Sequence, residues 1–335
     1  EMKSSILTLP TPIFNVSAVE TYPVVRGVAF NKTKQPSGGG SMLRSTCPHK
    51  MPHFKIVFIK THKTASSTIT NLLHRFGYKY GLNFALPADN MFYGWPAVGK
   101  KSVTSVEPIG LYQPPYDLYV SGHSVLSTHQ ASLVPYADFI TVLRSPVAHF
   151  KSSFHYWQVS NVIHNQGGPA DVTAEQFLSD PSTYEIYLKP PELLSNSFAF
   201  DLGMPTSKVK KLKRNPAAVQ KFIADLSQRF SIVLISDYLA ESVLLMKRKF
   251  CWSLDDVIIA SMKVTPKGKP DRPTLPEEDP LYDAVKKYNW LDWTLYDHFN
   301  KTLWQEIEQQ RDSGWDAELL ELKVRISQLA KACQR

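Results

Sequence analysis

The chain has 335 residues, of which 43% are hydrophobic and 12% aromatic, so it can bury a sizeable core and is not globally disordered. Its formal net charge of +8 suits an anionic ligand but lies well short of the basic coat of a nucleic-acid-binding protein, so no nucleic-acid partner is predicted. No apolar run approaches the roughly 18 residues that a membrane span needs. Because the sequence starts at Glu1 without an initiator Met, an N-terminal anchor or signal is expected to have been removed.

The cysteines and the glycosylation sequons set two further bounds. Three cysteines are too few for a disulfide scaffold and lack metal-ligand spacing, so at most one intrachain disulfide forms and no metal site is predicted. The sequence alone does not pair them; they are Cys47, Cys251 and Cys333. Three N-x-[ST] sequons predict glycosylation at Asn15, Asn31 and Asn300.

The composition divides the chain into a stem and a folded domain. Residues 1–50 are rich in Pro, Ser, Thr and Gly and include the run PSGGGS, which is typical of a stem or linker. Residues 51–335 are expected to form the folded domain, with its core starting near Phe54.

The stretch 54–77 predicts a strand, a hydroxyl-rich turn and a helix. The run FKIVFI before Lys60 predicts a short buried strand, and THKTASST follows it. The predicted helix carries an apolar stripe formed by Ile69, Leu72, Leu73 and Phe76. A helix start favours an anion through its N–H groups and its dipole, and Lys60 and Lys63 add charge. We therefore interpret the turn as an anion site rather than as a capped turn alone.

A second strand and helix follow an irregular stretch. Residues 78–118 are rich in Gly, Pro and aromatic residues and predict a long excursion that carries part of a binding surface. The run FITVL at 139–143 predicts a buried strand that ends in Arg144, and Pro146 suits the first turn of a helix. The polar face of this helix begins beside Arg144 and includes Ser152.

A third unit completes the prediction of an α/β fold. The run SIVLIS at 231–236 predicts a strand, and Asp237 is expected to cap the helix that follows. Three strand–helix units predict a central parallel sheet covered by helices on both faces, with ligands at the carboxyl ends of the strands. That rule brings the stretches 60–68 and 144–152 to one rim.

Three further segments have predicted roles. The basic runs 208–214 and 247–249 are expected to be solvated helix faces. Residues 315–335 predict a charged amphipathic helix that packs on the domain or on a partner, which permits a homodimer.

Two anion sites on one rim indicate a ligand with phosphate-like groups at two places. A Walker A loop requires GxxxxGK[ST], whereas HKTASST has no glycine and places its lysine before the hydroxyls. The second strand ends in Arg144, where a magnesium-dependent P-loop enzyme would usually offer Asp. This pattern favours a metal-free reaction on a nucleotide that carries an extra phosphate.

Five separated motifs resemble the galactose 3-O-sulfotransferase family of Golgi enzymes, which includes the cerebroside sulfotransferase. They read VFIKTHKTASST, FALP, LRSPVAHFKSSFHYW, FDLG (Phe200–Gly203) and LYDHFNKTLW (Leu295–Trp304), and they extend over roughly residues 54–305. Two positions depart from the family pattern: Ser145 stands where members often have Asp, and Gly122 replaces the cysteine of their CNH segment. Neither departure falls on a residue assigned to phosphate chemistry.

The resemblance implies a P-loop-like sulfotransferase fold and 3′-phosphoadenosine 5′-phosphosulfate as donor, with no metal required. Matched by position, the 5′-phosphosulfate loop comprises Lys60, Thr61, Lys63, Thr64, Ala65, Ser66, Ser67 and Thr68. Arg144 and Ser152 would hold the 3′-phosphate. Lys63 would neutralise the charge that develops on the bridging oxygen during an in-line displacement.

The acceptor hydroxyl needs a base near neutral pH, and histidine is the usual choice. His123 in SGHS is the first candidate, because it matches the histidine of the family's CNH segment. His62 inside the loop is the second candidate, although it could instead order the loop. His149, His155 and His298 are interpreted as structural.

The leading prediction is thus an enzyme that sulfates the 3-hydroxyl of a terminal β-galactose on a glycolipid or glycoprotein glycan. The resemblance also implies a type II Golgi membrane protein with a lumenal catalytic domain. Ring faces in the excursion could stack on sugars; they belong to Phe92, Tyr93, Trp95 and Tyr112. The alternatives are a uronyl 2-O-sulfotransferase acting on acidic glycosaminoglycans, a catalytically silent glycan-binding protein on the same fold, and a P-loop kinase.

Overall fold

Five parallel strands form the central sheet of this computed structural model, which describes residues 51–87, 95, 115–260 and 278–332. The strands are β1 (Ile56–Ile59), β2 (Phe84–Ala85), β3 (Leu118–Tyr119), β4 (Asp138–Leu143) and β5 (Phe230–Ile235). Their order across the sheet is β2-β3-β1-β4-β5, and every pairing is parallel. The predicted parallel sheet is confirmed, and β1 and β4 end side by side at one rim.

Helices connect the strands and flank the sheet, as the sequence predicts. In chain order they are α1 (Ser66–Tyr80), α2 (His129–Leu133), α3 (Pro146–Tyr156), α4 (Val159–Asn165), α5 (Ala174–Ser179), α6 (Pro181–Glu185), α7 (Ser197–Asp201), α8 (Thr206–Leu212), α9 (Pro216–Arg229), α10 (Leu239–Phe250), α11 (Tyr282–Tyr288), α12 (Trp290–Gln310) and α13 (Trp315–Ala332). Short 3₁₀ turns occur at Pro191–Leu193, Ser236–Tyr238 and Leu254–Val257.

The main core joins the strands to α1, α10 and α12. The stripe predicted for α1 is buried to 1% exposure or less at Ile69, Leu72, Leu73 and Phe76. Gly77 lets α1 lie close to the sheet, since a Cβ there would stand 2.2 Å from the Phe84 ring and 2.5 Å from Leu118. A second cluster lies around α3, α4, α5 and α11, with Val147 and Phe150 at its centre. The packing of α1 and α3 fixes where their N-terminal ends meet the rim.

Asp237 does not cap the helix after β5, so that prediction is wrong. A 3₁₀ turn separates β5 from α10, and the N-cap of α10 is Tyr238, which makes no side-chain capping bond. Asp237 Oδ2 instead accepts a hydrogen bond of 2.9 Å from the backbone N–H of Ser145. The carboxylate thereby ties the end of β5 to the start of α3.

The basic run 247–249 is also not a solvated face. Arg248 is only 8% exposed and donates from Nε to Glu318 (2.9 Å) and from Nη1 to Asp312 (3.1 Å). Lys249 pairs with Glu306 at 2.9 Å. The Arg248 pairs and the fully buried Trp315 and Leu322 hold α13 on the domain, whereas the Lys249 pair joins α10 to α12. The lysines of the other basic run, Lys208, Lys210, Lys211 and Lys213, are exposed as predicted.

Several predictions fall on residues that the structure does not describe. The stem 1–50, with Asn15, Asn31 and Cys47, lies outside the described residues, as does Cys333. Cys251 is bonded in a disulfide. Asn300 lies within α12 with its Oδ1 buried, and this packing does not favour glycosylation. Glycosylation of Asn300 stays a prediction. None of the described helices combines the length and the apolar character needed to cross a bilayer.

Candidate active site

The first half of the site is the β1–α1 loop, which comprises residues 60–65. Its backbone turns without glycine, because Lys63 (φ 56°) and Ala65 (φ 62°) both adopt the left-handed conformation. Such a conformation costs about 1–2 kcal/mol for an L-residue with a Cβ. The surrounding contacts must therefore hold the loop in shape, and the N-terminus of α1 begins directly after it.

Three hydroxyls of the predicted donor-binding set point into the protein and hold the loop. Thr61 is fully buried, donates to the Val142 carbonyl on β4 and lies 2.8 Å from the Thr64 hydroxyl, oxygen to oxygen. Ser66 Oγ donates back to the Thr61 carbonyl at 2.7 Å. These three residues can therefore offer a ligand only backbone N–H groups, whereas the sequence does not distinguish their hydroxyls from outward-facing ones.

The remaining members of the set lie around the same loop. Lys60, Lys63 and Ser67 are half-buried, Thr68 is buried and Ala65 is exposed. Lys63 Nζ lies 3.5 Å from the centroid of the Tyr156 ring on α3, a cation–π contact that the sequence does not reveal.

The second half of the site is the β4–α3 junction, which consists of Arg144 and Ser145. Arg144 Nη1 donates to the Lys63 carbonyl at 3.3 Å, so the two predicted anion-binding stretches meet. Burial lowers the pKa of Arg144 and the charge of Asp237 opposes that shift, and a guanidinium stays protonated in proteins. Ser152 is half-buried on α3.

Both candidate bases lie beside the loop and stack on each other. The rings of His62 and His123 have centroids 3.8 Å apart and planes inclined by 14°. His123 is 9% exposed, and its Nδ1 lies 2.8 Å from the Lys60 carbonyl oxygen. A carbonyl only accepts, so Nδ1 carries the proton and the neutral ring of His123 has its lone pair on Nε2.

His62 is held from behind by Asp201, a residue to which the sequence gave no role. Asp201 is fully buried at the end of α7, and its Oδ2 lies 3.0 Å from His62 Nδ1 and 3.1 Å from His62 N. Its Oδ1 accepts a bond of 2.8 Å from Trp95 Nε1. The only available signal was an acid inside the short motif FDLG. Phe92, Tyr93 and Tyr112 lie outside the described residues.

His149 links the two halves of the site from below. Its ring is 1% exposed, and Nε2 donates to the His62 carbonyl at 3.1 Å. Burial, aided by the nearby charge of Arg144, lowers the pKa of His149 to about 3, so the ring is neutral at physiological pH. His155 is exposed on α3, and His298 Nε2 lies 3.0 Å from Ser227 Oγ, away from the site. The structural interpretation of the three histidines stays a prediction.

The site therefore combines a helix N-terminus, two lysines, one arginine and a stacked pair of histidines. Such a set can bind an anion at two places and can accept a proton between them. Among the described residues, no group of three or more His, Cys, Asp or Glu side chains is arranged to hold a metal ion.

Comparison with known proteins agrees with the motifs. The galactose-3-O-sulfotransferase family model matches residues 4–335. Galactosylceramide sulfotransferase of Bos taurus is 35% identical over 261 residues, which cover 77% of this chain and 58% of that protein. The Mus musculus protein of the same name is 33% identical over 288 residues, covering 84% and 64%. Galactose-3-O-sulfotransferase 4 of Bos taurus is 29% identical over 357 residues, covering 88% and 73%.

The match thus spans between 58% and 64% of the length of the two galactosylceramide sulfotransferases. The family-model match, over residues 4–335, includes the β1–α1 loop, the β4–α3 junction and both stacked histidines. By this extended match and by its motifs, the chain belongs to the galactose-3-O-sulfotransferase family.

Proposed function

We propose that this protein transfers the sulfuryl group of 3′-phosphoadenosine 5′-phosphosulfate to the 3-hydroxyl of a terminal β-galactose. The observation that carries the proposal is the contact of Arg144 with the Lys63 carbonyl, beside the stacked histidines. It joins two cationic junctions and a proton acceptor at one rim. A donor with phosphate groups at both its 5′ and 3′ ends and an acceptor hydroxyl require this combination.

The two junctions divide the donor between them. The N–H groups at the start of α1, with Lys60, Lys63 and Ser67, bind the 5′-phosphosulfate. Arg144 and Ser152 bind the 3′-phosphate, and a guanidinium forms strong hydrogen bonds to phosphate oxygens. The negative charge of the donor reduces the electrostatic repulsion between Arg144 and the two loop lysines.

The tautomer of His123 determines where the proton of the acceptor hydroxyl goes during sulfuryl transfer. Nε2 of His123 takes the proton from the galactose 3-hydroxyl as that oxygen forms its bond to sulfur. The bond between sulfur and the bridging oxygen breaks, and that oxygen keeps the electron pair as part of the 5′-phosphate. Lys63 Nζ neutralises the charge that develops there, a role that needs a cation and no metal ion. The products are a 3-O-sulfated galactoside and adenosine 3′,5′-bisphosphate.

The acceptor is a galactose-terminated glycolipid or glycoprotein glycan. The names of the relatives, galactosylceramide sulfotransferase and galactose-3-O-sulfotransferase, support galactose as the acceptor sugar. Trp95 supports a sugar site beside the stacked histidines, since its ring centroid lies 4.3 Å from that of His62.

The cellular setting is part of the same proposal. Residues 1–50 serve as a stem and residues 51–335 as the sulfotransferase domain of a type II Golgi membrane protein. The domain faces the lumen, where glycans at the predicted sequons are added to secretory proteins. A homodimer is compatible with this arrangement.

An acceptor panel tests the proposal. Transfer of labelled sulfate is measured with galactosylceramide, lactosamine, core 1 disaccharide and desulfated heparin, for the parent protein and for His123→Ala. We expect 3-O-sulfation of a β-galactoside, an activity loss of about 10²–10⁴-fold in His123→Ala, and unchanged binding of adenosine 3′,5′-bisphosphate. His164→Ala, a change of an exposed histidine on α4, is the matched control and should retain activity.

Two outcomes would contradict the proposal. Transfer to heparin alone would identify a uronyl 2-O-sulfotransferase, for which the exposed lysines of α8 would provide a polyanion surface. Donor binding without transfer to any acceptor would instead indicate a catalytically silent glycan-binding protein.

A further inference from the structure

Asp201 is the most completely buried carboxylate near the candidate bases. It has 0% exposure, and three donors surround it: the backbone N–H and Nδ1 of His62, and Nε1 of Trp95. A buried carboxylate is strongly destabilising unless such donors satisfy it. Two of the three come from the β1–α1 loop and one from the excursion, so the carboxylate joins segments far apart in the chain.

The position of Asp201 within α7 does not stabilise that helix. It is the last residue of α7, and a negative charge is unfavourable at a helix C-terminus. The favourable position for an acid, the start of α7, is already served by Asp292, whose carboxylate accepts from the N–H groups of Phe198 and Ala199 at 3.1 and 2.8 Å. A carboxylate at the unfavourable end of a helix that is hydrogen-bonded to a histidine points to a role in the chemistry.

The effect of Asp201 on His62 follows from hydrogen-bond chemistry. A carboxylate accepts, so His62 carries its proton on Nδ1 and its lone pair on Nε2. That Nε2 atom is buried and has no hydrogen-bond partner among the described residues. The ring is stacked on His123, whose own lone pair also lies on Nε2. Two imidazolium ions with ring centroids only 3.8 Å apart would repel each other.

We infer that Asp201 is a positioning residue: it fixes the tautomer and orientation of His62 and supplies the negative charge that favours the proton on the stacked pair. This inference rests on the proposed function, because the proton is that of the acceptor hydroxyl. Asp201 acts through His62 and does not touch substrate. Trp95 supports it by holding the second carboxylate oxygen.

Other charges around the stacked pair oppose Asp201. Lys60 and Lys63 belong to the same loop, Arg144 reaches the loop from β4, and the neutral ring of His149 donates to the His62 carbonyl from α3. Positive charge disfavours proton uptake by a nearby base, and Asp201 is the acid among the side chains that contact His62. Its removal should therefore make the pair harder to protonate.

The first test measures the tautomer of His62 in the absence of substrate. ¹⁵N NMR of labelled histidines should give His62 as the Nδ1–H tautomer in the parent and a mixture of both tautomers in Asp201→Asn. Asp292→Asn is the matched control, since it changes the buried carboxylate at the other end of α7 and should leave the His62 signals as in the parent. Unchanged His62 signals in Asp201→Asn would overturn the inference.

The second test reads sulfate transfer against pH. We expect kcat of Asp201→Asn to fall about 10²-fold, with unchanged affinity for adenosine 3′,5′-bisphosphate and with the acidic limb of the kcat profile moved to lower pH. His62→Gln and the double variant should show equal losses, because Asp201 acts through His62. Trp95→Phe, which keeps the ring and removes the donor, should show a smaller loss in the same direction.

Two results would count against the inference. Additive losses in the double variant, or a lower melting temperature with an unmoved pH profile, would assign Asp201 a purely structural role. If the parent itself transferred sulfate to no acceptor, the proposed function would fail while the NMR test of the tautomer would still stand.

Discussion

The β1–α1 loop and the β4–α3 junction serve one rim but are built differently. The loop has six residues, two of them left-handed without glycine, and its hydroxyls turn inward. The junction has two residues, Arg144 and Ser145, and is followed directly by Pro146 at the first position of α3. The loop presents backbone N–H groups and two lysine ammonium groups, whereas the junction presents one guanidinium. Anion binding by the loop therefore depends mainly on its backbone conformation, whereas anion binding by the junction depends mainly on the charge of Arg144.

The two regions are also coupled. Arg144 donates to the Lys63 carbonyl, and His149 donates to the His62 carbonyl from α3. Both side chains come from the junction and the helix that follows it, and both hold carbonyls of the loop, so a change in the junction is transmitted to the loop. The five predictions below separate shape, charge and coupling.

The largest effect should come from the charge at the loop. Lys63→Ala removes the cation at the leaving oxygen, and we expect kcat for sulfate transfer to fall about 10²–10³-fold, with a smaller change in donor affinity. Single-turnover kinetics with labelled donor measure this. Lys60→Ala, a change of the neighbouring loop lysine, is the control, and an equal loss of kcat in it would argue against a special role for Lys63.

Charge at the junction should govern donor selection. Arg144→Ala should weaken binding of adenosine 3′,5′-bisphosphate by about 1.5–3 kcal/mol, the usual value of a charged hydrogen bond, and leave that of adenosine 5′-phosphate nearly unchanged. Calorimetric titration of both nucleotides measures the difference. Arg214→Ala, at an exposed arginine, should change neither affinity. Equal weakening of binding for both nucleotides would show that Arg144 does not bind the 3′-phosphate.

Coupling can be tested through the pH dependence of stability. The pKa of His149 is about 3 in the folded protein and near 6.5 when unfolded, so between these values the unfolded chain binds more protons. The contribution of His149 to the free energy of unfolding therefore falls as pH falls through this window, by up to about 1.4 kcal/mol per pH unit. In His149→Gln this contribution to the slope should vanish.

The variant must be compared with the parent because Asp292 has the opposite effect. Burial raises the pKa of Asp292 to about 7, so its contribution to stability is present at low pH and is lost as pH rises toward 7. Urea unfolding of parent and variant at several pH values from 4 to 7 isolates the His149 contribution. Parallel curves would show that His149 titrates alike in both states.

The contact between the loop and the end of α3 should have a moderate effect. Tyr156→Leu removes the ring beneath Lys63 Nζ, and a cation–π contact at a partly exposed site is worth about 0.5–1 kcal/mol. We expect a several-fold loss in kcat/KM, with Tyr156→Phe near the parent. Similar losses for Phe and Leu would assign the effect to the hydroxyl instead.

The smallest effect should come from relieving backbone strain. Ala65 is exposed at φ 62°, so Ala65→Gly removes a penalty of about 1–2 kcal/mol and adds about 0.5–1 kcal/mol of chain entropy loss. The net expectation is a gain of about 0.5–1 kcal/mol in the free energy of unfolding. Ala224→Gly, at an exposed position inside α9, should lose a similar amount. A lower free energy of unfolding in both variants would show that the backbone conformation of Ala65 is not strained.

Local patterns were sufficient to predict the rim. The stripe of α1 and the strand β4 follow from periodicity within one segment, and the carboxyl-end rule then brought Lys63 and Arg144 together. The strands β2 and β3 are only two residues long, too short for any periodicity to reveal them.

Contacts between distant segments could not be predicted in the same way. Asp201 lies 139 positions from its partner His62, and Asp237 lies 92 positions from its partner Ser145. A sequence also does not give the direction of a hydroxyl, which is why Thr61 looked like a ligand. The side chains found only in the structure are those whose partners lie on another element.

The inward hydroxyls of the β1–α1 loop have a consequence for the speed of donor capture. Thr61, Thr64 and Ser66 bond to protein atoms, so the loop holds its shape without help from a ligand. Binding then loses little conformational entropy at the loop. Capture of the donor should proceed at the rate of encounter, raised by attraction to the lysines and slowed by added salt, rather than at the rate of a folding step.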